Sequence, residues 1–376
     1  MKIVVASDSF KGCLGSAEVA DAVERGIRRV LPGAEVVKIA VADGGEGTVR
    51  ALVTAKQGEL IRVQVHDPLL RPVEAEYGIL PDGTAVIEMA AASGLPLLRD
   101  EERNPLVAST YGTGELILSA LDRGCRKFIA GIGGSATNDG GAGMLRALGA
   151  SFHDANGELL GEGGAALSRL ASIDLSGMDR RLAESGFVVA SDVGNRLCGE
   201  HGASRVFGPQ KGATPDMVEL LDAALENYAG VAEKTTGRDI ANIPGAGAAG
   251  GLGAAFMGFL NARMESGIGL IIKETGLREK LRGADLLITG EGKMDRQSGL
   301  GKAAYGIMRV GRELGVPVAA IVGVSELTRE EFLRAGFAEV TSLREMAGSE
   351  EESMRRAGEW LGRVSGKLVA KFIRQS

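Results

Sequence analysis

The chain has 376 residues, of which 44% are hydrophobic and 24% charged, and its formal net charge is −6. This length predicts about two domains with buried cores, and the absence of a basic stripe argues against nucleic acid as a partner. The 57 glycines form no short repeat, which excludes collagen-like and low-complexity chains.

The sequence has only three histidines and three cysteines. The cysteines lack a C-x-x-C spacing, which indicates a reducing, cytoplasmic compartment without a disulfide framework. The histidines lack the spacing of metal ligands, which argues against a metal site built from histidine and cysteine. No G-x-S-x-G motif occurs, which argues against a serine hydrolase. Residues 240–262 are uncharged, but their glycines and Pro244 argue against a membrane span. Because histidine is scarce, acid–base chemistry must rely on Asp, Glu or Lys.

Short apolar runs alternate with helical patterns at both ends of the chain. Residues 3–6 are predicted as the first strand, a helix capped by Ser16 follows, and 36–41 form the second strand. Near the C-terminus, strands are predicted at 285–289, 316–322 and 339–342, with helices at 300–314, 329–335 and 353–373. Apolar runs without strict alternation are typical of strands buried on both faces of a parallel sheet.

The middle of the chain has a different pattern. Strands are predicted at 61–65, 73–80 and 85–90, with Pro81-Asp82-Gly83 as a turn, and Asn156-Gly157 is a second hairpin signal. We therefore predict an α/β fold with two α/β domains. A Rossmann/flavodoxin-like parallel-sheet domain is formed by both chain ends, residues 1–65 and 280–376, and an α+β domain, residues 66–279, is inserted.

The most informative motif is the loop from Gly131 to Gly141, with the sequence GIGGSATNDGG. It lies between a predicted strand at 127–130 and a helical pattern at 144–148. Glycine allows the backbone to approach an anion closely, and a helix start adds free N–H groups and a positive dipole end. The loop therefore predicts binding of a phosphate or carboxylate.

Four other loops share this character, at residues 7–12, 43–48, 208–213 and 290–295. Asp8, Asp43, Asp192 and Glu291 all follow predicted strands, which is where ligands bind in open α/β sheets. A carboxylate there can accept a hydroxyl proton or hold Mg²⁺, although a single such aspartate more often caps a helix or forms a turn. Together the five loops predict one composite anion site.

A dinucleotide-binding function is the alternative interpretation. Residues 131–136 fit G-x-G-x-x-A and Asp154 follows about 20 residues later. However, Asp154 is next to the predicted hairpin at Asn156-Gly157, not at the end of a buried strand. Residues 245–250 fit G-x-G-x-x-G without a preceding strand. The match at 131–136 keeps an NAD-dependent hydroxy-acid dehydrogenase as the alternative. Walker A and protein-kinase motifs are absent, so a phosphate-handling enzyme with this sequence would be of neither of those types.

Seven ordered motifs resemble the bacterial class I glycerate kinases. They lie at residues 7–12, 42–48, 111–115, 131–141, 206–213, 245–253 and 289–292, and the resemblance covers effectively the whole chain. One departure is Arg196, which stands where the family's D-V-x-N-P-L motif has proline, while Asp192 and Asn195 are retained.

The resemblance implies ATP- and Mg²⁺-dependent phosphorylation of glycerate, at the 2-hydroxyl to give 2-phosphoglycerate, in a cleft between two domains. Lys11 is expected to neutralise the transferring phosphoryl group and Asp192 to accept the hydroxyl proton. The candidate metal ligands are Asp8, Glu291 and Asp295. The candidate substrate or phosphate contacts are Ser9, Asp43, Gly44, Gly45, Ser135, Thr137, Asn138, Asp139, Asn195 and Lys211. The expected partners are glycerate and ATP, without nucleic acid or membrane.

Overall fold

The computed structural model describes residues 1–294 and 302–375. The chain divides into two compact units, the first made of Met1–Asp43, Arg50–Lys56 and the chain from Ile268 onwards, the second of Gly44–Val49 and Gln57–Gly267. The boundaries of these units differ from the predicted domain boundaries at 65/66 and 279/280. The third strand, from Glu59, belongs entirely to the second unit.

The strands are β1 Lys2–Ser7, β2 Glu35–Ala40, β3 Glu59–His66, β4 Pro72–Ile79, β5 Thr84–Glu88, β6 Lys127–Gly131, β7 Ser151–His153, β8 Ser172–Asp174, β9 Gly186–Ala190, β10 Arg263–Glu265, β11 Leu286–Met294, β12 Val318–Ser325 and β13 Glu339–Ser342. The helices are α1 Ser16–Val30, α2 Thr48–Lys56, α3 Ala90–Ser93, α4 Tyr111–Asp122, α5 Ala142–Ala147, α6 Ala203–Phe207, α7 Pro215–Thr236, α8 Leu252–Phe259, α9 Gly267–Glu274, α10 Leu277–Lys280, α11 Lys302–Glu313, α12 Arg329–Ala335, α13 Leu343–Ala347, α14 Glu350–Arg355 and α15 Ala357–Gln375.

The first unit is built on a parallel sheet with the strand order β13-β12-β11-β1-β2. After β1 the chain crosses to β2 on one side, whereas after β11 it crosses to β12 on the other. The loops that follow β1 and β11 therefore diverge, which opens a crevice at the carboxyl ends of these strands, the usual ligand position in such sheets. The predicted parallel sheet built from both chain ends is confirmed.

Helix α1 is fixed to this sheet through Ser16 in a different way from the predicted cap. The N-cap residue is Gly15, whose amide donates to Oε2 of Glu18 at 2.8 Å. The Ser16 hydroxyl instead donates to the carbonyl oxygen of Ser7 at 2.6 Å and accepts from the amide of Val41 at 2.9 Å. Ser16 thus ties the end of β1 to the residue after β2, so the prediction that it caps the helix is wrong.

The second unit has a mixed sheet with the strand order β10-β9-β6-β5-β4-β3. Strands β10, β9, β6 and β5 are parallel neighbours, whereas β3, β4 and β5 pair antiparallel, as their turn residues predict. Phe128 of β6 and Phe187 of β9 stack in its core with ring centroids 4.6 Å apart. The predicted α/β class, with a second unit of α+β character, is confirmed.

Every helix within residues 1–294 and 302–375 is too short or too polar to span a lipid bilayer.

Candidate functional site

A cavity of about 580 Å³ lies at the carboxyl ends of β1 and β11 in the first unit. We call it the switch-point cavity. Its polar lining includes Asp8, Ser9, Lys11, Asp43, Glu291 and Lys293, and its apolar lining includes Phe10, Val324, Leu343, Met354 and Ala357. Five residues predicted from sequence as site residues are therefore brought together here.

Asp8 is a buried carboxyl group of this cavity with a raised pKa. It follows β1 directly, its amide donates to the carbonyl oxygen of Gly290 at 2.9 Å, and its Oδ1 accepts from the amide of Ser9 at 2.6 Å. Burial, assisted by the charge of Asp43, raises the pKa of Asp8 to about 7. A buried carboxylate beside a second carboxylate is costly to ionise, and a bound cation would offset that cost.

Ser9 and Lys11 supply donors in the same cavity. The Ser9 hydroxyl is buried and has no hydrogen-bond partner in the described part of the chain, so it is available to a ligand. Lys11 is exposed, and its ammonium group is a mobile point charge suited to phosphate. The two side chains can therefore serve an anionic ligand.

Glu291 lies inside β11, and the prediction that it follows the strand is wrong. Its Cα is paired with that of Val322, and the pairing of β11 with β12 continues to Met294. The sequence pattern ended the strand early because glycine and charged residues replace the apolar run. Glu291 still lines the switch-point cavity, whereas the predicted metal ligand Asp295 lies outside the described residues. Within the described ranges, no group of three His, Cys, Asp or Glu side chains could hold a metal ion.

A smaller cavity of about 120 Å³ lies in the second unit, at the carboxyl ends of β6 and β9. Its lining includes Gly133, Gly134, Ser135, Ser191, Val193, Gln210 and Lys211. Asp192 lies between two of these lining residues, just after β9. Its Oδ2 atom is buried without a hydrogen-bond partner among the described residues, so this oxygen is available to accept a hydrogen bond from a ligand.

Lys211 is 1% exposed, and its Nζ donates to the carbonyl oxygen of Thr137 at 2.6 Å. Burial lowers the pKa of Lys211 to about 7, against the opposing charge of Asp139. The side chain therefore ties the short 3₁₀ turn at Pro209–Lys211 to the loop after β6. Its terminal amine therefore supports that loop, and the predicted pairing of Lys211 with an anion stays a prediction.

Thr137, Asn138 and Asp139 are fully buried, so the structure does not place them on a cavity wall. Asp139 accepts hydrogen bonds from the amide and hydroxyl of Thr110, both at 2.8 Å, and from the amides of Gly141 and Gly143, both at 3.1 Å. Asn138 donates from Nδ2 to the Ser204 hydroxyl at 2.9 Å. The Asp139 carboxylate and the Nδ2 group of Asn138 are thus bonded within the protein, whereas Thr137 Oγ1 and Asn138 Oδ1 are buried without a hydrogen-bond partner among the described residues. Ser135 lines the smaller cavity, and substrate contact by Thr137, Asn138 and Asp139 stays a prediction.

The glycines at 44 and 45 pack backbone against backbone. Gly44 has φ +91°, and a Cβ there would lie 2.6 Å from the carbonyl oxygen of Ala190. A Cβ on Gly133 would lie 2.9 Å from Cα of Gly45. Only glycine permits this approach at positions 44 and 133, so Gly44 has a packing role in the second unit and Gly45 lies against Gly133.

Asn195 organises the loop after β9. Its Nδ2 donates to the carbonyl oxygen of His201 at 2.8 Å, and its own carbonyl oxygen accepts from the amide of Gly247 at 3.0 Å. The side chain therefore holds the backbone close to Asp192, and it is not among the residues that line the cavity.

Glu88 was missed by the sequence analysis. It ends β5, its Oε1 accepts from the amide of Val49 at 2.7 Å, and burial raises its pKa to about 7. The available signal was a single carboxylate inside the apolar run at 85–90. Glu88 fixes the start of α2 within the second unit.

Comparison with known proteins decides the family. The sequence model of the Glycerate kinase family matches residues 3–373. The chain belongs to the glycerate kinase family.

Individual members support this assignment over the full length. The chain is 47% identical over 373 residues to a glycerate kinase of Bacillus subtilis (strain 168), with 99% of this chain and 98% of the relative covered. It is 48% identical over 375 residues to a glycerate 2-kinase of Escherichia coli (strain K12), with 98% and 97% covered. The crystal structure of a candidate glycerate kinase 2 from Salmonella typhimurium LT2 superposes with a TM-score of 0.87 at 44% identity, and covers 100% of this chain and 99% of that one.

Membership of the glycerate kinase family makes the chain a kinase, and the dehydrogenase alternative is not favoured. The local structure agrees, because Asp154 accepts from the amides of Asn156 and Glu158 at 2.9 and 3.1 Å and so forms a turn after β7. Strand β7 pairs antiparallel with β8. A dinucleotide site needs its acidic residue at the end of a parallel strand.

Proposed function

We propose that this member of the glycerate kinase family transfers the γ-phosphoryl group of ATP to the 2-hydroxyl of glycerate, giving 2-phosphoglycerate and ADP. The Escherichia coli relative named glycerate 2-kinase supports the position of transfer. The observation that carries the proposal is the switch-point cavity, where Asp8, Ser9 and Lys11 follow β1.

We assign the nucleotide to the switch-point cavity. Its volume of about 580 Å³ falls within the usual range for small-molecule pockets. Its lining is divided into a polar part, with Lys11, and an apolar part, with Val324 and Leu343. The apolar part suits a base, and the Lys11 ammonium group with the Ser9 hydroxyl suits phosphate oxygens.

The carboxylates of the same cavity fit Mg²⁺, although fewer than three group together among the described residues. Magnesium is usually held by one or two carboxylates together with substrate phosphates and water. Asp8 would hold the ion, with Asp43 beside it and Glu291 as a second candidate. When bound, the ion would neutralise charge on the phosphates. Asp295 stays a candidate ligand from sequence alone.

We assign the acceptor to the second unit, near the cavity after β6 and β9. About 120 Å³ suits a small hydroxy acid better than a nucleotide. Ser135 would contact the glycerate carboxylate, while Lys211 and Asn195 keep the surrounding loops in place.

Asp192 acts as the general base in this proposal. The glycerate 2-hydroxyl oxygen forms a bond to the γ-phosphorus, and the bond from that phosphorus to the β,γ-bridging oxygen breaks, so ADP leaves. The hydroxyl proton passes to Oδ2 of Asp192, the buried oxygen without another partner among the described residues. Lys11 neutralises charge on the transferring group, because such reactions depend mainly on alignment and electrostatic stabilisation.

A coupled assay for ADP release tests the proposal. The purified chain is given ATP and Mg²⁺ with and without glycerate, and parallel arms replace ATP with pyrophosphate, add excess EDTA, or supply NAD⁺ in place of ATP. We expect ADP only when glycerate, ATP and Mg²⁺ are all present. ADP release that is independent of glycerate, or NADH formation from glycerate and NAD⁺, would refute the proposed function.

A further inference from the structure

A second groove in the first unit is lined by an unusual number of arginines. It has a volume of about 610 Å³ and lies beside α1 and the first turns of α15. Its basic lining residues are Arg25, Arg29, Arg355, Arg356 and Arg363, and we call it the arginine groove. Glu359 is the acidic residue of this lining, and Glu352 beside it forms ion pairs with Arg355 and Arg356, so the excess positive charge comes from Arg25, Arg29 and Arg363.

Two of the arginines have no counterion in the described part of the chain. Arg25 and Arg29 are exposed and lie one turn apart on α1, and like charges at this spacing destabilise a helix. Neither makes an ion pair or hydrogen bond with a described residue. In contrast, Arg28 on the same helix is paired with Glu24 at 2.8 Å. The unpaired arginines are thus specific to the side of α1 that faces the groove.

On the far side of the groove, Arg356 forms ion pairs, whereas Arg363 packs on an aromatic ring. Arg356 is paired with Glu352 at 3.3 Å and with Glu359. Arg363 is exposed, and its guanidinium carbon lies 5.1 Å from the centroid of the Trp360 ring. Stacking on an aromatic face orients a guanidinium group without neutralising it. Arg363 therefore adds to the unbalanced charge.

Glycines keep the groove open beneath these guanidinium groups. A Cβ on Gly358 would lie 3.9 Å from Nη2 of Arg25, and one on Gly362 would lie 3.9 Å from Nη1 of Arg29. Gly358 is also in the first turn of α15, a helix of 19 residues. First-turn amides carry partial positive charge, although that of Glu359 already donates to the carbonyl oxygen of Arg356 at 3.0 Å. The open floor of the groove thus adds to the attraction for an anion.

We propose that the arginine groove binds a small phosphate-bearing anion with at least two negative charges, at a site separate from the nucleotide. Guanidinium groups match phosphate oxygens through paired N–H donors. The groove volume of about 610 Å³ lies within the usual range for small-molecule sites. The groove shares Cys13, Met354 and Ala357 with the switch-point cavity, so the test must separate the two sites.

The test uses pyrophosphate as the probe and isothermal titration of the full chain. Arg25→Ala/Arg29→Ala removes the two arginines without counterions, and Arg309→Ala/Arg374→Ala is the control, since it removes two exposed arginines of the same unit outside the groove. We expect the groove variant to weaken pyrophosphate binding at least about tenfold and the control to change it by less than about twofold. The kcat and the KM for ATP should be unchanged in the groove variant.

A second variant fills the groove and leaves every arginine in place. Gly358→Glu adds a carboxylate in the first turn of α15, where acidic side chains are favourable. Gly230→Glu adds the same charge to α7, at a position with nothing within 4 Å. We expect only Gly358→Glu to abolish pyrophosphate binding.

Three results would overturn the proposal. The first is an absence of pyrophosphate binding by the unmodified chain, and the second is equal weakening by the groove and control double variants, which would show a general charge effect. The third is displacement of pyrophosphate by a non-hydrolysable ATP analogue together with a raised KM for ATP in Arg25→Ala/Arg29→Ala, which would make the groove part of the nucleotide site.

Discussion

The carbonyl oxygen of Gly44 accepts a hydrogen bond from the amide of Gly133 at 3.3 Å. This bond joins the loop that follows β2 to the loop that follows β6. Neither glycine leaves room for a side chain, because a Cβ on either would lie within 3.0 Å of backbone atoms. Close approach of two backbones therefore explains these glycines better than direct contact with an anion.

Gly44→Ala should destabilise the protein far more than Gly47→Ala. Both glycines have φ near +90°, but a Cβ at Gly44 would lie 2.6 Å from the carbonyl oxygen of Ala190, while Gly47 has nothing within 4 Å. The positive φ alone costs about 1–2 kcal/mol, and displacing packed backbone adds about 1–3 kcal/mol at Gly44. Urea denaturation measures both free energies of unfolding, and equal losses would refute the packing role.

Lys11→Met should lower kcat at least tenfold, which corresponds to about 1.4 kcal/mol of transition-state stabilisation. Methionine keeps the length of the side chain and removes the charge that we assign to the transferring group. Steady-state kinetics with saturating glycerate and MgATP measures the effect. Lys367→Met, an exposed lysine of α15, is the matched control and should keep the unmodified kcat. A smaller loss for Lys11→Met would remove this residue from the reaction.

Asp192→Asn should lower kcat by about 10²–10⁴, the usual contribution of a general base. Asparagine preserves the shape of the side chain but cannot take the hydroxyl proton. The KM for glycerate should change much less, because the interaction is made in the transition state. Asp154→Asn, in the turn after β7, is the control. If Asp192→Asn retains near-normal kcat, another group must accept the proton.

The raised pKa of Asp8 predicts how stability depends on pH. Burial raises this pKa from 3.8 to about 7, so the folded protein favours the protonated carboxyl. The resulting stabilisation is fully present below about pH 4 and is lost as the pH rises through about 7. The free energy of unfolding of Asp8→Asn, minus that of the unmodified chain, should therefore increase between these values and then level off.

Asp179→Asn is the control with the opposite sign. Hydrogen bonds from Arg181 lower the pKa of Asp179 to about 2. The stability that this aspartate contributes is lost only as the pH falls below about 4. Chemical denaturation between about pH 5 and pH 8 should show a constant difference for Asp179→Asn. A constant difference for Asp8→Asn over the same range would contradict the burial of an ionisable Asp8.

Local sequence patterns were sufficient to predict the strands whose carboxyl ends border the two cavities. The apolar run before Asp8 predicts β1, and the run before Asp192 predicts β9, because strands buried on both faces need continuous apolar residues. The position of a polar residue after such a strand follows directly. For this reason Asp8, Ser9 and Lys11, which follow β1, line the switch-point cavity.

The burial of polar side chains depends on partners far away in sequence, and local patterns did not reveal it. Asp139 is enclosed because Thr110, at the start of α4, supplies two of its hydrogen bonds. Lys211 is enclosed because the backbone of Thr137 accepts from its ammonium group. A glycine loop rich in polar side chains has the same sequence pattern whether those side chains bind a ligand or bond within the protein. The pattern alone therefore does not distinguish the two.

The most direct test of glycerate 2-phosphorylation is ³¹P NMR of a reaction containing the purified chain, MgATP and each enantiomer of glycerate in turn. We expect one enantiomer to give a phosphomonoester signal split into a doublet by the single proton on carbon 2, in an amount equal to the ADP formed. A triplet from phosphate on carbon 3, or no phosphomonoester with either enantiomer, would contradict it.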